Sequence, residues 1–205
     1  MLDGSMGSTK QKAARLVVDL ASTAGASEFI EVENAHVSGV SVITGGHGLR
    51  RFLADLSGDS EGKVTIPTTL NSAGCDHERM DEMGIDHPDF LEQQFEIVHA
   101  YSELGIDAIL SCTPYDRGIE ADEGIGSWAE SNAVCFSNSY TSLVTNRESG
   151  LSALATALTG WAPKWGLHLA ENRIPNIFVN VECAMSDPTD WSVLVDWIGK
   201  QILPD

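Results

Sequence analysis

An α/β fold, with helices layered on a mostly parallel sheet, is the architecture this sequence predicts. Three observations carry it. Segments of helical apolar spacing alternate with short runs rich in β-branched residues, and glycines gather where those runs end. The 205 residues are 42% hydrophobic and 20% charged, which supplies enough apolar side chain for a real core and argues against disorder or a fibrous repeat.

Residues 10–24 place Ala14, Val17, Val18 and Ala21 at helical spacing, and Gly25 stops them. The stretches 29–32 and 37–43 read as short strands, and 48–56 as a short helix with Leu49, Phe52, Leu53 and Leu56 on one side. Residues 63–70 are rich in β-branched side chains, although Pro67 makes their later part an edge or a strand exit. The clearest amphipathic helix covers 88–104, with Phe90, Leu91, Phe95, Val98 and Leu104 apolar and Gly105 as its stop. It feeds 106–111, an apolar run too short for a helix and suited to a buried strand, which leaves Cys112 at the strand's carboxyl end. A glycine-rich loop over 116–126, helices over 128–142 and 152–158, a buried strand over 177–181 and a last helix over 191–201 complete the reading. No internal repeat or low-complexity linker interrupts it.

Thirty Asp and Glu against 12 Lys and Arg give a formal charge of −18. Nucleic acid is therefore not an expected partner, because phosphate backbones need a basic stripe. An acidic surface of this kind fits a protein kept soluble at high intracellular salt, the alternative being an acidic protein of ordinary habitat. Four cysteines, Cys75, Cys112, Cys135 and Cys183, stand singly, so a disulfide scaffold is not expected. Residues 1–4 lack the layout of a secretory leader and no window reads as a membrane span, which makes the cytoplasm the expected compartment.

Five segments are candidates for chemistry, the first because ligands of open α/β sheets collect at the carboxyl ends of strands. Cys112, in Ser111-Cys112-Thr113-Pro114-Tyr115, reads as a small buried filler, a nucleophile or a metal ligand; the last needs partners from distant sequence. Glu130, in 128–132, sits at a helix start, where it either faces a bound anion or merely caps the helix. The small residues of 35–41 either let a substrate approach the backbone or form a turn, and 68–74 offers the amide of Asn71 at a strand exit. Arg147 either clamps a carboxylate or phosphate or makes a surface ion pair.

Taken together, 36–41, 67–71, 112–115, 128–131, 145–148 and 152–155, with 166–168 and 171–173, resemble the large subunit of the aconitase X family. The resemblance runs over almost all of 1–205, which corresponds to the N-terminal part of that family's catalytic domain. It implies an aconitase-like layered fold and an iron–sulfur hydro-lyase paired with a small swivelling subunit. Archaeal members dehydrate (R)-5-phosphomevalonate to trans-anhydromevalonate 5-phosphate in isoprenoid synthesis, and bacterial ones dehydrate cis-3-hydroxy-L-proline; the acidic composition and the context of 145–148 and 166–168 favour the archaeal side.

Carried over by position, Cys112 becomes one of three thiolates on a cluster, expected to be 4Fe–4S, whose other two cysteines lie outside this chain. Gly39, Val40 and Ser41, Asn71 and Ser72, and Glu130 and Ser131 become substrate-binding residues. Ser72 stands where the family usually has proline, and Cys75, Cys135 and Cys183 match no family ligand and read as filler. The resemblance also places the base, a serine, on the swivelling partner, so the isolated chain is expected to be inactive. The contrasting expectation is a non-catalytic assembly or binding fragment.

Overall fold

The computed structural model describes residues 1–80, 82–85, 89–117 and 123–202. They fall into two compact units, Met1–Arg173 and Ile174–Asp205. The first contains α1 (Ser8–Ala24), β1 (Phe29–Glu31), β2 (Asn34–Val37), α2 (Val42–Ser57), β3 (Thr68–Leu70), α3 (Phe90–Glu103), β4 (Glu123–Trp128), α4 (Ser131–Tyr140), β5 (Ser142–Val144), α5 (Gly150–Thr159) and β6 (Trp161–Pro163); the second contains α6 (Pro188–Ile202).

Four strands form one sheet in the order β3-β2-β4-β5, every pairing parallel. Their carboxyl ends therefore open along a single edge. β1 and β6 make a separate antiparallel pair. Strand alternation then sorts the side chains. Val37 pairs with Leu70, and both enter the main core with Leu53, Leu56, Ile97, Leu154 and Leu158. His36 is level with Thr69 and Trp128, one residue out of phase, and so points to the other face, where Trp128, Ala133, Val134 and Leu143 form a second apolar cluster.

The caps show why the helices lie where they do. Thr9 N–H, in the first turn of α1, donates to the Asp59 carboxylate at 2.9 Å, and Gly25, at φ 69°, closes the helix in the left-handed conformation. α5 carries a reciprocal capping box between Ser149 and Ser152, and from Ser152 to Thr159 every residue is buried.

Several sequence expectations fail for identifiable reasons. The strand over 37–43 is cut short because Gly39 takes φ 80° and Ser41 caps α2, its Oγ accepting from Ile43 N–H, so that Val42 and Ile43 are helical. The strand over 106–111 shrinks to one bridge, Asp107 to Thr69, and Leu110 at φ 48° turns the chain out of extended geometry. β4 lies where a glycine loop and a helix start were expected; residues 118–122 of that loop, like Pro88 at the expected start of α3, lie outside the described residues.

In the second unit the apolar run 177–181 forms no strand, and Phe178 is 89% exposed. A buried strand needs neighbours on both sides, and among the described residues none pairs with this one. α6 likewise exposes Trp191, Val193, Val195 and Trp197. No helix among the described residues is long and apolar enough to cross a membrane.

Candidate functional site

Three strand exits and one loop converge at the carboxyl edge of the sheet. Leaving β3, Asn71 is held by its own N–H to Val37 O at 2.9 Å and is nearly buried. Its Nδ2 donates to Glu130 Oε2 at 2.7 Å across the exit of β4, while its Oδ1 accepts from Ser72 N–H at 2.8 Å. Ser131 Oγ donates to the other carboxylate oxygen, Glu130 Oε1, at 3.1 Å. Glu130 occupies the cap position of α4, yet its side chain makes no capping bond. Asn71 and Ser131 instead hold both carboxylate oxygens, so the Glu130 side chain belongs to a hydrogen-bonded network between the strand exits rather than capping the helix.

Cys112 joins that network from the loop after Asp107. Its Sγ lies 3.1 Å from Ser72 Oγ, and its carbonyl accepts from Asn132 Nδ2 at 3.0 Å. Tyr115 OH donates in turn to Asn132 Oδ1 at 2.9 Å. The thiol is half-buried among polar atoms. That setting differs from a filler packed wholly in hydrocarbon. Cys75, by contrast, is buried, and burial first and Asp76 second push its thiol pKa up. Cys135 and Cys183 are exposed, so the expectation that they fill packing space fails for both.

At the exit of β2, the backbone of 39–41 is locked by a residue that the sequence reading missed. Gln94, wholly buried in α3, donates from Nε2 to Val40 O at 2.9 Å and accepts at Oε1 from Val42 N–H at 3.1 Å and Gly74 N–H at 3.3 Å. One amide thus ties the β2 exit to the β3 exit. Its signal was a polar residue within the apolar stripe of Phe90, Ile97 and Tyr101. Val40 sends its side chain into the core and Ser41 spends its hydroxyl on the cap, while Gly39 is exposed. A cavity of about 610 Å³ opens beside these exits, lined by Ser72, Ala73, Gly74, Cys75 and Leu110 among others.

The pair of segments 145–148 and 166–168 also meets, but as scaffolding. Asn146 Oδ1 accepts from Leu167 N–H at 2.7 Å, and its Nδ2 donates to Trp165 O at 3.2 Å. Gly166 is obligatory there: it stands at φ 55°, and a Cβ would meet Asn146 Oδ1 at 2.5 Å. Arg147 is exposed beside Trp128 and forms no ion pair among the described residues.

A family profile for the aconitase X first domain matches residues 1–171. The chain belongs to the aconitase X family. It is 39% identical to the phosphomevalonate dehydratase large subunit of Methanosarcina mazei over 98% of this chain and 50% of that one. The cis-3-hydroxy-L-proline dehydratase of Pseudomonas aeruginosa is 36% identical over 89% of this chain and 31% of that one. Among solved structures, the holo-form crystal structure of Thermococcus kodakaraensis aconitase X superposes with a TM-score of 0.84 at 36% identity, covering 98% of this chain and 49% of that one. The chain thus spans about half the length of the large subunits it matches. The aconitase X fold agrees with the parallel layered architecture read from the sequence.

Proposed function

We propose that residues 1–205 are the N-terminal part of an aconitase X catalytic domain. As part of a phosphomevalonate dehydratase, it would remove water from (R)-5-phosphomevalonate to give trans-anhydromevalonate 5-phosphate. The observation that carries the reading is the grouping of the Cys112 thiol, Ser72, Asn71 and Glu130 in one polar network at the carboxyl edge of the sheet. The whole-chain likeness to large subunits of that name supports it.

An iron–sulfur cluster, proposed as 4Fe–4S, fits the residues present to the extent of one corner. Cys112 is a half-buried thiol beside a cavity-lining serine, and among the described residues no three His, Cys, Asp or Glu side chains converge. Cys112 would hold that corner, with the other two thiolates supplied by sequence outside this chain. Bound there, the cluster supplies Lewis-acid help to the departing hydroxyl.

The chain's own residues do the holding. Gly39 exposes backbone to the substrate, Val40 and Ser41 shape that backbone, and Gln94 keeps it rigid. Asn71 and Ser72 line the neighbouring exit, and Glu130 with Ser131 orients the substrate's polar groups. Glu130, pinned by two donors, accepts a hydrogen bond from substrate without swinging toward solvent. The C–H proton would go to a base on a small swivelling partner; the large-subunit naming of the relatives supports a small-subunit partner.

Anaerobic reconstitution of this chain with the remaining large-subunit sequence and the small subunit tests the proposal. Turnover of (R)-5-phosphomevalonate is expected, with none from the isolated chain. Turnover of cis-3-hydroxy-L-proline instead would move the chain to the second reading, which the Pseudomonas relative favours. Turnover of neither would leave a non-catalytic fragment.

A further inference from the structure

Among the buried titratable groups that the mechanism above leaves unused is His36, which is wholly shielded from solvent in β2. Its Nδ1 lies 2.8 Å from Thr69 Oγ1, and its ring meets the Trp128 ring edge-on at 6.4 Å between centroids. Its Nε2 is buried and makes no close hydrogen bond, although the Asn71 side chain lies near enough to act on the ring. Such an unmet group costs about 1–3 kcal/mol, so its retention needs a reason.

The strand register gives one. His36 is level with Thr69 on β3 and Trp128 on β4. Asn71 and Glu130 follow just after the ends of β3 and β4, each two positions on from the residue level with His36. The ring therefore lies one row beneath the pair that the proposed function places in the pocket. Burial pushes the His36 pKa down to about 4, against an upward pull from the Glu130 carboxylate and then the Asn71 side chain. A charged ring would draw Glu130 to itself and away from Asn71, whereas a neutral one leaves the carboxylate to its two donors.

The tautomer follows from Thr69. With no other acceptor for that hydroxyl among the described residues, donation from Thr69 to Nδ1 leaves the fewest polar groups unmet, which assigns the ring proton to Nε2.

We infer that His36 is a positioning residue: a neutral, Nε2-protonated imidazole that supports the Asn71 carboxamide from below and through it fixes the Glu130 carboxylate. The inference rests on the assignment of Asn71 and Glu130 to the substrate pocket.

Two measurements test it separately from that assignment. In the first, imidazole-¹⁵N labelling of this chain, with the His36 signals identified by their loss in His36→Gln, is followed by two-bond ¹H–¹⁵N correlations from about pH 5 to about pH 8. A neutral, Nε2-protonated pattern throughout is expected, and Thr69→Val should release the tautomer preference. A charged ring at about pH 6, or an Nδ1-protonated one, overturns the inference.

The second compares His36→Leu and His36→Gln in the reconstituted enzyme. The leucine variant should lose about tenfold or more in kcat, and glutamine, which retains an Nε2 donor, should recover most of it. A folded leucine variant with unchanged kcat and KM also overturns the inference. Absence of turnover by the wild-type enzyme refutes the dehydratase reading instead, while the ring's charge and tautomer are still decided by the spectra.

Discussion

Replacing Gln94 by leucine keeps the side chain's volume and removes its polar atoms, which isolates what the amide contributes. Three main-chain groups then lose a partner: Val40 O, Val42 N–H and Gly74 N–H. Buried unpaired groups cost about 1–3 kcal/mol each. The Gly74 contact is the longest, at 3.3 Å, and its residue is only half-buried, so the third group recovers part of its loss from water. The expected destabilisation is about 2–7 kcal/mol. Urea unfolding followed by tryptophan fluorescence measures it, since Trp128 is wholly buried in the same unit. The midpoint should fall with the slope unchanged. A cost below about 1 kcal/mol would show that the two strand exits are held by something else, and a changed slope would mean that the variant altered the ensembles rather than one clamp.

Gly74→Ala should strain the same clamp from the opposite side, because the new Cβ would meet Ser41 Oγ at 2.4 Å and Gln94 Oε1 at 2.7 Å. A loss of about 1–3 kcal/mol in the same titration is expected, and a neutral result would refute the crowding. Asp59 supplies a pH dependence. The N–H of Thr9 first, and that of Glu61 second, hold its carboxyl below the usual carboxylate range. Its contribution is therefore complete above the ordinary carboxylate pKa and disappears as pH falls through the depressed one. Asp59→Asn should flatten the acid limb of Tm against pH, and an unchanged limb would remove Asp59 from the account. Alkylation by iodoacetamide should modify the exposed Cys135 and Cys183 rapidly and Cys75 last, because Cys75 is buried and its thiol is pushed up. Mass spectrometry of quenched samples gives the order, and early labelling of Cys75 would contradict its burial.

Some helices were legible because they carry their own punctuation. Gly25 closes α1 and Ser149 with Ser152 opens α5 whatever lies around them. The strands were less so. β4 reads Glu-Gly-Ile-Gly-Ser-Trp, with little β-branched character, and only its neighbours β2 and β5 make it a strand. The reverse error at 37–43 came from apolar β-branched side chains that the backbone at Gly39 had already turned into a helix. At the site, Asn71 and Cys112 were singled out as strand exits and Glu130 as a helix start. Gln94 and His36 act through partners distant in sequence, which no local pattern reveals. The relation of Asn71 to Glu130, 59 positions apart, likewise exists only in the fold.

α5 has a consequence beyond stability. Ala153, Ala155 and Ala157 are almost or wholly inaccessible to solvent, so methyl-sized side chains set the clearance between this helix and its neighbours. At its first residue, Gly150, an added Cβ would come within 2.2 Å of Ser38 O, immediately before Gly39. A larger group at Ala153 or Ala157, both wholly inaccessible, therefore has little slack to absorb it, and the displacement is passed toward the backbone of 38–41. Variation in these alanines should register first as a change in the dimensions of what the edge admits, before it registers as a loss of fold.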